Sequence, residues 1–466
     1  MNYKGLSVAE FIKASKRGEI DLNGFYAKLN SELKALQKKY NYFVTLTENK
    51  GINPCPNTKL ASLPISAKDC ICAKGIQSTA GSKILEGYIP PFDATVIARA
   101  KKEGATIIGK TVQDEFGFGT FSTNSAYGIP KNPHGQDRSC GGSSGGAAGL
   151  TAALDMPHIA LGQSTGGSIS CPASFCGVVG LTPTYGRVSR YGLIDYANSL
   201  DKIGPIGRCI DDVKTLYEII SGYDPLDQTT IKEDARMNDK FEMKGVKLGI
   251  PKEYFPPDMD ESVRKVVLDA IDKMKSLGAE TGECSLPHTK YSIPSYYIIA
   301  MAEASTNLAK YCGMRYGKEE NPDGKHFDEY FSHIRGKYLG AEAKRRIILG
   351  TYTRMAGYRD QYYMKALKVR RLIINDYKKA FKKFDALLAP TMPFVTPKFK
   401  EIERLSPIEC YNADILTGAP NLAGIPMLSV PAGTSKNMPV GLHILADHMR
   451  EDTILNVGKE FEKISG

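Results

Sequence analysis

The sequence predicts an α/β fold, a β-sheet covered by helices on both faces. Short apolar runs of strand length alternate with runs of helical spacing over most of the chain. Several of those short runs are apolar without a polar alternate, which is the pattern of strands buried on both sides. At 466 residues the chain is long enough to bury a large core without disulfide or metal staples.

The elements follow in order. Ser7-Val8-Ala9-Glu10 reads as a capping box opening a short helix. A second helix runs from about Asp21 to Tyr40, with Leu29, Leu33 and Leu36 at helical spacing. Tyr42 to Leu46 reads as a strand, and Gly51 to Lys59 as a loop. Leu63-Pro64-Ile65-Ser66-Ala67 is strand-like, Asp93 to Lys102 helical, and Thr106-Ile107-Ile108-Gly109 a buried strand. Asn132 to Arg138 reads as polar loop. Ser144 to Leu154 is a helix of small residues that packs closely on its neighbours, and His158 to Leu161 is a strand. Val246 to Ile250 is a further strand, followed by a helix whose apolar face is Val263, Val266, Val267, Ala270, Ile271 and Met274, closed by Gly278. From about Pro287 to Phe384 the chain turns long-helical, Tyr-rich and basic. Strands return at 386–390, 427–430 and 439–445, and a last helix runs from about Thr453 to Lys463.

The expected organisation is one domain over 1–466. Residues 1–50 give N-terminal helices and the first strand, 51–285 the α/β core, 286–384 a helical basic layer, and 385–466 the completion of the sheet with the last helix. Lys plus Arg is 61 and Asp plus Glu 51, so the net charge is +10. That admits an acidic partner such as RNA without demanding one. No run approaches a membrane span, and the polar start at Met1-Asn2-Tyr3-Lys4-Gly5 has no apolar leader segment. The expected location is the cytoplasm. The ten cysteines have no mini-domain or zinc spacing; Cys70-Ile71-Cys72 and the pair Cys171 and Cys176 read as buried thiols.

The chemistry concentrates in two glycine-serine turns, Cys140 to Gly146 and Leu161 to Ser170, separated by small apolar residues. Glycine serves where backbone turns sharply or comes close to a ligand. A flexible linker would use the same residues, but linkers are not flanked on both sides by core-forming runs. The expectation is a nucleophile at Ser168, a proton relay at Ser143, and an oxyanion hole from the amides of Thr165, Gly166, Gly167 and Ser168. A serine attacks only when a base takes its proton. None of the seven histidines sits in a motif with an Asp partner. The string Gly142 to Gly146 also fits a nucleophile elbow, but polar residues rather than a strand precede it. No Lys-Ser/Thr follows the glycines, which excludes a P-loop. A lysine whose pKa is lowered by burial can act as base, and Lys68, closing an apolar strand, is the best placed. Spacing alone leaves it an ordinary surface lysine.

Gly141 to Gly146, the string Thr165-Gly166-Gly167-Ser168-Ile169, and Pro172 to Leu181 together resemble the amidase signature family, along nearly the whole chain. The resemblance implies a large mixed sheet covered by helices. It implies a triad with Ser168 as acyl-forming nucleophile, Ser143 as a relay preceded by a cis peptide bond, and Lys68 as general base. Pro183 to Leu193, Ile250 to Phe255, Glu303-Ala304-Ser305, Arg345 to Tyr352 and Asn421 to Pro426 resemble the branch that serves tRNA-dependent amidotransferases. That branch implies glutamine as substrate and ammonia delivered to a B-type subunit, with a small C-type subunit. The mischarged tRNA is then met mainly through the partner, with no membrane involved. It implies no cofactor in this chain; ATP and magnesium belong to the partner. By position Arg370 and Asp414 look like the residues that grip the α-carboxylate and α-ammonium of glutamine.

The chain departs from the family at Ser164 and Ser170, where Asp and Arg are usual; the pair implies a salt bridge replaced by neutral groups. One extra residue between Pro157 and Leu161 leaves Ser144 as the alternative relay. Two other readings stay open at this stage. One is a free-standing amidase acting on another small amide. The other is a non-catalytic scaffold that binds tRNA through the basic stretch Lys344 to Lys383.

Overall fold

Eleven strands make one mixed sheet in the computed structural model, which describes residues 3–233, 238 and 240–465. In chain order the strands are β1 (Phe43–Leu46), β2 (Pro64–Lys68), β3 (Thr106–Thr111), β4 (Lys131–Asn132), β5 (Gly135–Ser139), β6 (Ile159–Ser164), β7 (Val179–Thr182), β8 (Lys202–Gly207), β9 (Lys247–Pro251), β10 (Glu280–Cys284), β11 (Ala386–Pro390), β12 (Met427–Ser435) and β13 (Met438–Leu445). The sheet order is β1-β3-β2-β6-β8-β7-β12-β13-β11-β9-β10. β3, β2 and β6 run parallel, as do β11, β9 and β10, and the pairings between these two blocks are antiparallel. This is the mixed sheet that the resemblance implies. Every residue of β2, β6, β7, β8, β11 and β13 is buried; β2, β6, β11 and β13 coincide with strands read from the sequence, whereas β7 and β8 are not among them.

Helices α1 (Val8–Lys16) and α2 (Leu22–Tyr40) start the chain; Ser7 and Glu10 form the expected capping box. α3 is Thr95–Lys102, α4 Gly145–Ala153, α5 Ser170–Cys176, α6 Ile210–Ile220 and α7 Glu261–Ser276. The basic stretch forms α8 (Ser292–Asn307), α9 (Phe327–Tyr338), α10 (Ala341–Tyr352) and α11 (Lys365–Ala380), and α12 (Phe399–Ile402), α13 (Pro407–Asn412), α14 (Gly418–Ala423) and α15 (Glu451–Ser465) complete the set. The sheet is covered on both faces. Ser429 of β12 points at Ser174 of α5, across Gly441. Its neighbours Leu428 and Val430 point the other way, against Gly458 of α15. Buried apolar side chains from Tyr3 to Phe461 make one contiguous core.

Two local expectations are corrected, and one strand, β10, adds to those read from the sequence. Asn132 to Arg138 is not loop: β4 and β5 pair antiparallel as a separate small sheet, hidden in the sequence because β5 is half exposed and polar. β10 is a charged edge strand with one neighbour, so it carries no apolar signature. β12 continues past Val430 through an irregularity at Pro431–Gly433 and turns into β13 at Lys436 and Asn437, both at positive φ (52° and 60°). That geometry suits a two-residue hairpin turn.

Candidate active site

The site sits where β2 and β6 end and two glycine turns meet. Lys68 is the last residue of β2 and is fully buried. Its Nζ lies 2.7 Å from Ser143 Oγ, 2.8 Å from the Gln163 carbonyl and 2.9 Å from Gln163 Oε1. Burial pulls the Lys68 amine down to about 8, against the opposing pull of Cys70, Asp114 and Asp201 nearby.

Ser143 follows a cis peptide bond from Gly142. A Cβ at Gly142 would stand 2.7 Å from the Ser122 nitrogen and 2.8 Å from that of Phe121, so only glycine lets these chains approach. The loop around Ser143 is tied to the second turn by the Ser144 amide, which donates to the Ser168 carbonyl at 3.2 Å. The Ser144 hydroxyl is held 3.1 Å from the Gln163 carbonyl. Lys68 therefore meets Ser143 and not Ser144, which separates the two relay candidates. Ser168 keeps 6% of its surface exposed, and its Oγ makes no hydrogen bond among the described residues. None of the seven histidines hydrogen-bonds to Ser143, Ser144 or Ser168 among those residues.

The amides of Thr165, Gly166, Gly167 and Ser168 donate no hydrogen bond among the described residues and so remain free for a ligand. Two packed neighbours hold this turn. A Cβ on Gly166 would stand 2.9 Å from Tyr296 Oη, and one on Gly167 would stand 2.8 Å from the Thr417 Cβ. The Thr165 carbonyl accepts from Asn421 of α14.

Asp414 is buried and accepts from Tyr297 Oη at 2.7 Å and Thr120 Oγ1 at 3.1 Å. Burial raises its carboxyl, offset by those two hydrogen bonds and by Arg346. Arg370 does not join it. Its guanidinium donates to the Leu422 carbonyl at 2.7 Å, to Ser199 Oγ at 3.1 Å and to the Ser199 carbonyl at 2.9 Å. Those bonds pin α11 to α14 and to the loop before β8. The arginine in the surroundings of Asp414 is Arg346 on α10. The rings of Phe118, Tyr196, Tyr297 and Tyr411 surround it at 5.0–5.8 Å. Its Nε bonds Glu342 at 2.8 Å and its Nη1 the Tyr196 hydroxyl at 2.7 Å, whereas Nη2 bonds nothing among the described residues. Arg346, Thr120 and Tyr411 line a cavity of about 480 Å³. Arg370 and Arg346 look alike in the sequence as charges on basic helices; in the fold it is Arg346 that lines this cavity.

A further segment lies over the triad. Between Asp114 and Asn124 the chain makes a glycine-rich loop in which Gly117 brings its backbone to Ser143: a Cβ there would stand 3.4 Å from Ser143 Oγ. Asp114 anchors the loop by accepting from the Ser122 and Asn124 amides at 3.0 and 2.9 Å, and burial raises its carboxyl to about 6. Gly117-Phe118-Gly119 was the available sequence signal for it. Ser164 donates to the Gly166 carbonyl at 3.2 Å, and the buried Ser170 hydroxyl has no partner among the described residues, so these two serines do not replace a salt bridge with a mutual contact. Among the described residues no three His, Cys, Asp or Glu side chains gather as a metal site.

The sequence profile of the family described as Amidase matches residues 8–455. The chain is 49% identical over 407 residues to the A subunit of glutamyl-tRNA(Gln) amidotransferase from Methanococcoides burtonii, covering 87% of this chain and 85% of that one. It is 45% identical over 476 residues to the protein of the same name from Carboxydothermus hydrogenoformans, covering 98% and 97%. The crystal structure of the Thermotoga maritima A subunit superposes with a TM-score of 0.84 at 35% identity, covering 100% of this chain and 96% of that one.

Proposed function

The chain belongs to the amidase family, and from that membership we propose that it is the glutamine-hydrolysing subunit of a tRNA-dependent amidotransferase; its relatives are named as the A subunit of glutamyl-tRNA(Gln) amidotransferase. The observation that carries the reading is the buried contact of 2.7 Å between Lys68 Nζ and Ser143 Oγ, set against a turn of free amides at Ser168.

The chemistry follows from those positions. Neutral Lys68 takes the proton of Ser143 while Ser143 takes that of Ser168. Ser168 Oγ bonds to the side-chain carboxamide carbon of glutamine. The carbonyl oxygen gains negative charge, which the amides of Thr165 to Ser168 receive. The proton returns through Ser143 to the nitrogen, the C–N bond breaks, and ammonia leaves a γ-glutamyl ester on Ser168. Water, deprotonated by the same relay, releases glutamate and restores the serine. Asp414 holds the α-ammonium of glutamine, and the free Nη2 of Arg346 its α-carboxylate.

The ammonia passes to a B-type subunit, with a small C-type subunit completing the assembly. The B-type subunit uses ATP and magnesium to activate Glu-tRNA(Gln), Asp-tRNA(Asn) or both, and carries most of the tRNA contact. This chain uses no cofactor of its own in that scheme and works in the cytoplasm. Among the described residues no helix is long and apolar enough to cross a membrane. The test measures glutamine hydrolysis by the chain alone and with a B-type partner, then glutamine-dependent amidation of both mischarged tRNAs. Ammonia release that rises with the partner supports the reading. No ammonia from glutamine under either condition rejects it.

A further inference from the structure

The three neighbours of Lys68 Nζ are not equivalent. The Gln163 carbonyl at 2.8 Å and Gln163 Oε1 at 2.9 Å can only accept a hydrogen bond, whereas Ser143 Oγ at 2.7 Å can also give a proton. A neutral primary amine has two N–H groups and one lone pair. When both carbonyl oxygens take an N–H, the lone pair is left facing the one neighbour that has a proton to lose.

The far side of Gln163 decides which end of its amide faces Lys68. Gln163 Nε2 donates to Thr165 Oγ1 at 2.8 Å and to Asp201 Oδ1 at 3.0 Å. Thr165 sends its own proton to Asp201 Oδ1 at 2.6 Å, so toward Gln163 it is an acceptor. Two acceptors on that side fit the NH₂ end alone. Asp201 is buried and fixed by the Tyr196 and Ala197 amides, which donate to its Oδ2 at 2.8 and 2.9 Å.

We propose that Gln163, oriented by Asp201 and Thr165, is a positioning residue that aims the Lys68 lone pair at Ser143. The inference rests on the Ser168–Ser143–Lys68 reading above. A neutral amide suits the task in both states of the base. The same three oxygens accept the three N–H groups of the ammonium once the proton has arrived. None of them is a full negative charge that would hold the ammonium before the reaction starts. A carboxylate at 163 would do so.

The test uses the full chain and a fluorophosphonate probe, which forms an O–P bond to Ser168 and releases fluoride whatever the natural substrate is. The labelling rate at Ser168 is followed from pH 6 to pH 10 in the wild type, Gln163→Met and Asp201→Asn, with unfolding midpoints taken alongside. Gln163→Met and Asp201→Asn are expected to lower the plateau rate at least ten-fold. A folded Gln163→Met or a folded Asp201→Asn with the wild-type rate overturns the proposal. Absence of Ser168 labelling in the wild type instead strikes the triad reading on which it stands.

Discussion

Lys68 Nζ lies 2.7 Å from Ser143 Oγ with both side chains fully buried. A solvated lysine is charged at neutral pH and cannot take a proton; burial brings this one to about 8. The base is active only when neutral, so turnover should rise with pH, pass half its maximum near 8 and level off above. Lys68→Arg keeps a charge that cannot be shed and should cost about 10²–10⁴ in turnover at every pH. A pH–rate profile of ammonia release checks both. A flat profile between pH 6 and 9 would remove Lys68 from the mechanism.

Ser168→Ala should abolish turnover and leave the unfolding midpoint close to the wild type. The lost hydroxyl makes no hydrogen bond among the described residues, so no buried partner is stranded. Hydroxylamine added during turnover should trap a γ-glutamyl hydroxamate in the wild type and none in the variant. Trapping in Ser168→Ala would move the nucleophile elsewhere.

The fold was legible over part of the buried sheet. β2, β6 and β13 read as strands, and every residue in them is buried; β7 and β8 are equally buried, but glycine and proline break up their apolar pattern. β5 and β10 were not legible, since partly exposed strands carry polar residues that pattern alone reads as loop. The glycine turns were visible because Gly142 and Gly167 sit where a Cβ would meet neighbouring atoms, backbone nitrogens for Gly142 and the Thr417 side chain for Gly167, and such positions leave a mark in composition. The base was less so: Lys68 reads as a surface residue until β3 and β6 close over it. The cavity residues were least legible. Arg346 and Thr120 are 226 positions apart in sequence and meet only because α10 packs beside the Asp114–Asn124 loop.

The two arginines should part company on substitution. Arg346→Lys keeps the charge but loses the planar fork, and should raise KM for glutamine about ten-fold or more with a smaller change in kcat. Arg370→Ala should leave KM near the wild type. It removes charge-assisted bonds to Ser199 and Leu422, and should cost on the order of 2 kcal/mol of stability. Glutamine saturation curves and thermal melts of the two variants separate these outcomes. A raised KM in Arg370→Ala with an unchanged melt would reverse the assignment.

The free amides at 165–168 act only if they stay aimed at the position where the oxyanion forms, and Gly167 is the residue through which that aim can be disturbed. A Cβ there would stand 2.8 Å from the Thr417 Cβ and 3.0 Å from its Cγ2. Thr417 precedes α14 and is packed in the core, so the Gly167–Ser168 peptide is the part that must move. Gly167→Ala should therefore lower kcat about 10²-fold or more, the scale of losing one oxyanion donor, with KM little changed. Thr417→Ala would not relieve the contact, because its Cβ remains. Thr417→Gly removes the obstructing atoms, and the Gly167→Ala/Thr417→Gly pair should recover at least ten-fold of the lost kcat. Steady-state kinetics of the four proteins measure that coupling. Equal losses in the single and double variants would mean that the amides are not held by this contact.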